Sequence, residues 1–255
     1  MPERVEPYPV VVLAGGLGTR MRSLTKGLPK ALVPVRGEPF ASHQLRLLAL
    51  QGVTDVVYVV GYGGAQVQAA VEDGSAFGVS VSYVDEGEHL HGTGGALRFA
   101  LDAGALPAVF AVLYGDSYLP IDLAPVWAAF GAAGRPALMT VMRNENRWDR
   151  SNAVFEAGRV VLYDKRPEAR DERMAWIDYG LSVLRREVVQ EIAAGVRFDL
   201  GELFRELSKQ GDLAGYEVDT RFYEAGTPGG IAELELFLRD REPAEKEAEE
   251  GRGLR

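Results

Sequence analysis

The stretch "VVLAGGLGTRMRSLTKGLPKALVPV", residues 11–35, decides how the chain is read. Its start belongs to "YPVVVLA", residues 8–14, a continuous apolar and β-branched run halted by Gly15 and Gly16. A run without polar alternation, ended by paired glycines, reads as a strand buried on both faces of a sheet. Working outward, "TDVVYVV" (54–60), "VSVSYV" (79–84), "AVFAVLYGD" (108–116) and "ALMTVMR" (137–143) read as further strands. Helical stretches fall between them at 40–51, 63–72, 94–103 and 122–133. In the first, Phe40, Leu45, Leu48 and Leu50 are expected near one face. Such alternation predicts an α/β fold: a mixed, mostly parallel, doubly wound sheet, with the first 145 residues covered on both faces. Later strands are shorter ("AVFEAG", "RVVLYD", "GLSVL"), and 186–210 is helix-rich. With no linker composition and no repeat, residues 8–240 are expected to form a single domain. Its halves are 8–145 and 146–240, the latter a small lobe, and 241–255 is a charged tail read as a solvated helix end or disordered tag.

In open α/β sheets, ligands bind beyond the carboxyl ends of the strands. Gly15, Gly16 and Gly18 lie there, and without Cβ atoms they admit an anion close to backbone N–H groups. Arg20 and Arg22 add guanidinium groups suited to phosphate. The plainer alternative is a glycine turn with solvent-facing arginines. Two phosphate motifs fail: G-x-G-x-x-G meets Met21 at its last position, and no Gly-Lys-Ser/Thr follows for a P-loop.

The chain has 255 residues, 47% hydrophobic, with a net charge of −9. That balance argues against a protein that coats nucleic acid. Absence of cysteine excludes disulfides, zinc–thiolate sites and cysteine nucleophiles. "MPERVEPYPV" lacks the features of a signal peptide, and no apolar run approaches the roughly 20 residues of a spanning helix. The expectation is a cytoplasmic protein with no membrane partner. Lysine is scarce, five against 23 arginines, and Lys26, Lys30 and Lys165 fall in candidate site segments.

"LAGGLGTRMRSLTKGLPKALVPV" resembles, almost position for position, the opening of the sugar-1-phosphate nucleotidyltransferases, L-A-G-G-x-G-T-R-L-x-P-L-T-x-x-x-P-K-x-L-x-P-V. Ser23 stands where many members have proline. "HGTGGALR" (91–98), "GRVVLYDKRP" (158–167) and "FYEAGTPGGIAELE" (222–235) are similar to the short members, the heptose- or mannose-1-phosphate guanylyltransferases and muramate-type uridylyltransferases. The resemblance covers about residues 8–240 and implies the nucleotide-diphospho-sugar transferase fold. The implied reaction joins an NTP and a sugar-1-phosphate into an NDP-sugar with loss of pyrophosphate, assisted by Mg2+. GTP is the favoured donor and UTP the alternative, with a heptose- or hexose-type acceptor and a monomer or homodimer as the working unit. Molybdopterin guanylyltransferases share "LAGG", but the spacing to "LPK" fits the sugar branch better.

Carried over residue by residue, the resemblance makes Leu13, Ala14, Gly15, Gly16, Gly18 and Thr19 the floor under the nucleotide. Arg20 grips the departing pyrophosphate, Lys30 neutralises the α-phosphate, and Gly92 and Thr93 meet the base. Asp116 matches the metal-binding acid, and Glu224 stands for the aspartate of "D-x-G-T-P" as its second metal ligand. This departure keeps alive a catalytically weakened regulatory homologue. Lys165 matches the lysine of "EKP", which contacts the sugar phosphate, and Asp164 replaces the glutamate before it; its alternative role is an ion pair with Arg166. Asp178 takes an asparagine position and Gly180 keeps a glycine against the sugar. Asn152 replaces a glycine, with a left-handed backbone expected. His89 and His91 read as surface residues rather than a metal pair.

Overall fold

The computed structural model describes residues 7–16, 27–87, 89–169 and 171–252, with side chains through residue 241. Gly18, Thr19, Arg20, Arg22 and Lys26, prominent in the sequence reading, lie outside the described residues.

The buried run forms β1 (Val10–Leu13). Val10 and Val12 enter the apolar cluster on one face of the sheet, Val11 and Leu13 the cluster on the other. A two-residue side-chain period feeding two cores explains why the run carries no polar alternation. A β-hairpin follows, β2 (Pro34–Val35) and β3 (Glu38–Pro39), then α1 (Phe40–Leu50), β4 (Asp55–Val60), α2 (Gly64–Val71), β5 (Ser80–Asp85), α3 (Gly92–Asp102) and β6 (Val109–Tyr114). Next come β7 (Ser117–Tyr118), α4 (Ala124–Ala133), β8 (Ala137–Arg143), β9 (Ala153–Glu156), β10 (Arg159–Tyr163) and β11 (Trp176–Arg185). The chain continues through α5 (Arg186–Gln190), α6 (Leu200–Gln210), β12 (Leu213–Val218), β13 (Tyr223–Glu224) and α7 (Pro228–Arg252).

Nine strands form one mixed sheet in the order β5-β4-β1-β6-β11-β8-β12-β10-β9. Helices α1, α2 and α4 pack on one face, α3, α5 and α6 on the other, as a doubly wound sheet requires. The first four strands are parallel, as expected. The expectation that β8 continues them is corrected: β11 enters between β6 and β8, antiparallel to both. β9 also pairs with the start of β11 through Ala153 and Trp176, so β11, β8, β12, β10 and β9 close into a ring. β12 had not been expected from the sequence. Leu50 is 64% exposed, since the buried side of α1 is Phe40, Ala41, Gln44, Leu45 and Leu48. Of the tail, residues 241–252 continue α7, which runs to Arg252, in line with the helix-end alternative. No helix among the described residues is long and apolar enough to cross a membrane.

Candidate functional site

A cleft of about 440 Å³ opens at the carboxyl ends of the parallel strands. Leu13, Ala14, Gly15 and Gly16 form its floor, with Lys30, Glu86, Gly92, Thr93, Tyr114, Asp116 and Arg197 around it. The floor is fixed by main-chain bonds: the Ala14 N–H donates to Val59 O at 2.8 Å, and the Gly115 N–H donates to Leu13 O at 2.9 Å. Gly15 is required by packing, because a Cβ there would lie 2.2 Å from Glu86 Oε1. Gly16 faces open space within 4 Å and leaves its backbone accessible to a ligand.

Lys30 begins a single 3-10 turn, Lys30–Leu32, that buries Ala31. Its Nζ lies 2.6 Å from Asp116 Oδ2, with the two side chains 32% and 24% exposed. An ion pair this wet is worth about 0–1 kcal/mol, so Lys30 is free to exchange the carboxylate for a phosphate oxygen at little cost. Asp116 sits in the turn after β6. Buried Gln44 clamps that turn, donating from Nε2 to Tyr114 O at 2.9 Å and to Ser117 O at 2.7 Å. β7 pairs antiparallel with β13, matching Ser117 to Glu224, and the Ala225 N–H donates to Asp116 O at 2.8 Å. Two acids 108 positions apart are thereby made backbone neighbours.

A second cleft, about 610 Å³, adjoins the first and shares Tyr114 with it. Asn152, Lys165, Asp178, Gly180, Arg221 and Glu224 line it. A β-bulge displaces β11 between Asp178 and Ser182, with Gly180 at φ +103°. A bulge of this kind re-aims a side chain, and the Gly180 N–H donates to Asp178 Oδ1 at 3.0 Å. The Tyr163 hydroxyl donates to Oδ2 at 3.4 Å. Burial pushes the Asp178 carboxyl up to about 6, against the opposing pull of the Gly180 N–H, the Lys165 charge and the Tyr163 hydroxyl. Asn152 does not adopt a positive φ, correcting the left-handed expectation; its Oδ1 instead accepts the Asp178 N–H at 3.0 Å. Lys165 Nζ is held 2.6 Å from Asp199 Oδ1, the residue that caps α6 by accepting the Gly201 N–H. Asp164 does not line this cleft. Its carboxylate is gripped by Arg166 through Nε and Nη2, which holds its pKa below the usual carboxylate range. The ion-pair alternative describes it, because the two residues are close enough in sequence to close on one another.

The motif "GTGG" has a structural duty of its own. Cβ atoms at Gly94 and Gly95 would lie 2.7 Å from Phe198 Cδ1 and 2.8 Å from Val196 O. Thr93 Oγ1 accepts the Leu200 N–H at 2.8 Å, leaving its backbone at the cleft. The expectation that His91 is a surface residue is corrected: its side chain is only 17% exposed and its ring stacks on Phe99 with centroids 5.2 Å apart. His91 also contacts Glu86. Sequence reasoning missed Gln44, Glu86, Arg197, Asp199 and Arg221, which stacks over Trp148 with 3.9 Å from guanidinium to ring centroid. Only Glu86 had a local signal, since it lies in the loop "DEGEHLHGTGGAL" (85–97), which the sequence reading placed over the base.

Comparison with known proteins identifies the family and the fold. The family described as "Nucleotidyl transferase" matches residues 9–222. The mannose-1-phosphate guanylyltransferase of Mycobacterium tuberculosis is 34% identical over 224 residues, covering 86% of this chain and 61% of the relative. The chain therefore spans about three fifths of that protein's length. The N-acetylmuramate α-1-phosphate uridylyltransferase of Neisseria meningitidis is 29% identical over 230 residues, covering 89% of this chain and 96% of the relative. A crystal structure described as a putative glucose-1-phosphate thymidylyltransferase from Bacillus anthracis superposes with a TM-score of 0.79 at 21% identity. It covers 91% of this chain and 95% of its own, which shows a shared fold.

Proposed function

The chain belongs to the nucleotidyl transferase family, and from that premise we propose that it joins the nucleotidyl group of an NTP to a sugar-1-phosphate. A phosphate oxygen of the sugar phosphate attacks the α-phosphorus, a new P–O bond forms, and the bond to pyrophosphate breaks. The observation that carries this reading is the Lys30–Asp116 pair at the boundary of two clefts that share Tyr114. One cleft suits a nucleotide, being floored by glycine backbone and edged by Lys30 and Arg197. The other suits a phosphorylated sugar, with Lys165 for the phosphate and Asp178 for hydroxyls. Little covalent help is needed for phosphoryl transfer; alignment and charge neutralisation do most of it.

Lys30 leaves its weak pair with Asp116 to meet the α-phosphate as charge builds there. Lys165 leaves an ion pair with Asp199 that is wetter than that of Lys30 to meet and orient the attacking phosphate. Asp178, held by the Gly180 N–H and Tyr163, accepts sugar hydroxyls. Asp116 and Glu224 fit Mg2+, which takes one or two carboxylates and leaves its other positions to phosphates and water. When bound, that ion would neutralise phosphate charge during transfer. The guanylyl activity in the name of the M. tuberculosis relative supports GTP as donor and a hexose- or heptose-type acceptor. The test is pyrophosphate release from the full chain with each NTP, Mg2+ and a panel of sugar-1-phosphates. At least one pair is expected to give release that Asp116→Ala abolishes. Silence from every pair, or an untouched rate in that variant, overturns the proposal.

A further inference from the structure

We propose that Arg150 is a positioning residue for the acceptor cleft: it holds the turn that follows Lys165 and so fixes where Lys165 meets the sugar phosphate. This rests on the nucleotidyl-transfer reading above and adds a residue to it. Arg150 lines neither cleft, so it acts through other residues rather than on a ligand.

The segment it holds has few ties of its own. β10 ends at Tyr163, and residues 164–169 form no strand before β11 begins at Trp176. Asp164 is still anchored, its N–H donating to Asn152 O at 2.9 Å. Beyond it, "RPEA" (166–169) closes a turn, with Pro167 at its second position and the Ala169 N–H donating to Arg166 O at 3.1 Å. The Arg166 side chain folds back on Asp164, inside the same segment. Among the described residues, every hydrogen bond from the rest of the protein to 166–169 comes from Arg150. Its Nη1 donates to Pro167 O at 2.6 Å and to Arg166 O at 3.4 Å, and its Nη2 donates to Ala169 O. A guanidinium carries five donors in a rigid plane, enough to serve three carbonyls from one side.

Arg150 is braced at its root. It sits in the loop between β8 and β9, where buried Asn144 donates from Nδ2 to Asp149 O at 2.7 Å and to Ser151 Oγ at 3.1 Å. The N–H of Ser151, also buried, donates to Asn146 Oδ1 at 2.9 Å. Asn152 then donates its N–H to Trp176 O at 2.9 Å and accepts the Asp178 N–H on its side chain. Three consecutive residues thus hold both acceptor elements, Arg150 the turn after Lys165 and Asn152 the start of the Asp178 bulge. They set the spacing between the cation for the phosphate and the acid for the hydroxyls.

Lys165 needs such support. Its side chain and that of Asp199 are each 45% exposed, and a pair this wet does little to aim an ammonium group. The aim comes from the backbone, held before Lys165 by Asn152 O and after it by Arg150. A misplacement of about 1 Å can cost about 100-fold in rate.

The test is Arg150→Met, which keeps the length of the stem and removes every donor. Two measurements use the full chain. Steady-state kinetics with Mg2+ vary GTP or UTP against mannose, glucose and heptose 1-phosphates. Limited trypsin digestion reads the loop without turnover. KM for the sugar phosphate is expected to rise about tenfold while KM for the NTP stays within about twofold, with Arg150→Lys in between. Cleavage within 165–173 should be at least about fivefold faster in Arg150→Met, with cuts elsewhere unchanged. An equal rise in both KM values, a loss of kcat with neither KM moved, or unchanged cleavage overturns the assignment. Should Arg150→Met fail to fold, Arg150→Lys carries the same comparisons. Silence of the wild type with every pair counts against the activity, and the cleavage rates then decide the role of Arg150.

Discussion

Replacing Asp178 with asparagine should stabilise the protein while weakening its site, and the gain should depend on pH. The amide keeps the shape of the side chain: its oxygen still accepts the Gly180 N–H, and its NH2 faces the Tyr163 hydroxyl. What it removes is the penalty of ionising a buried carboxyl. That carboxyl titrates near 6 in the folded protein against 3.8 as its ordinary value. The unfolded chain therefore releases its proton first, between about pH 4 and 6, and the wild type loses stability as pH rises through that window. At about 1.4 kcal/mol per pH unit the ceiling is about 3 kcal/mol. Asp178 keeps partial contact with solvent, so about half of that is the working value. For a chain this long, about 1.5 kcal/mol corresponds to about 3–6 °C in Tm. Thermal melts of both proteins at pH 4.5, 6.0 and 7.5 give the measurement. The advantage of Asp178→Asn should be about a third of its full size at pH 4.5 and complete by pH 7.5. A difference that does not change with pH, or a wild type that is the more stable at pH 7.5, refutes the reasoning.

Four further outcomes follow from packing, three of them around the clefts. Gln44→Leu deprives Tyr114 O and Ser117 O of their donor, and should cost about 2–4 kcal/mol in urea melts. With the Asp116 turn loosened, kcat should fall at least about tenfold with little change in KM. Gly94→Ala drives a Cβ to 2.7 Å from Phe198 and should destabilise by about 1–3 kcal/mol. Gly131→Ala, in α4 with nothing within 4 Å, should stabilise by about 0.5–1 kcal/mol in the same melts. Gly201→Ala puts a Cβ 2.6 Å from Lys165 Cε, so KM for the sugar phosphate should rise about tenfold while KM for the NTP holds, in steady-state kinetics with each substrate varied.

The parallel half of the fold was legible because each strand there is apolar on two faces and each helix between them shows its own period. Val10 to Leu13 carry that signal in four residues. The insertion of β11 was not legible: "GLSVL" reads as a short strand, and nothing local says that it lies between β6 and β8. β12 hides because Gly215, Tyr216 and Glu217 interrupt its apolar pattern. Among site residues, Lys30, Asp116, Lys165 and Asp178 stood out because they sit in motif-like segments at element ends. Gln44 and Asp199 did not, since their duties depend on partners far along the chain, such as Tyr114 for Gln44 and Lys165 for Asp199. Asp164 misled because its sequence position suited a ligand, while the nearest guanidinium, two residues on, claims it.

The place of β11 also bears on how the chain is made. Strands β6 and β8 are both complete by Arg143, yet the strand that joins them ends at Arg185. On a ribosome adding about 5–20 residues per second, those two edges stay unpaired for about 2–8 s after β8 emerges. Unpaired edges of this length invite pairing with other chains. A break in the chain near residue 145 would leave an amino-terminal piece that cannot close its own sheet, so the two halves should be recoverable in soluble form only when expressed together.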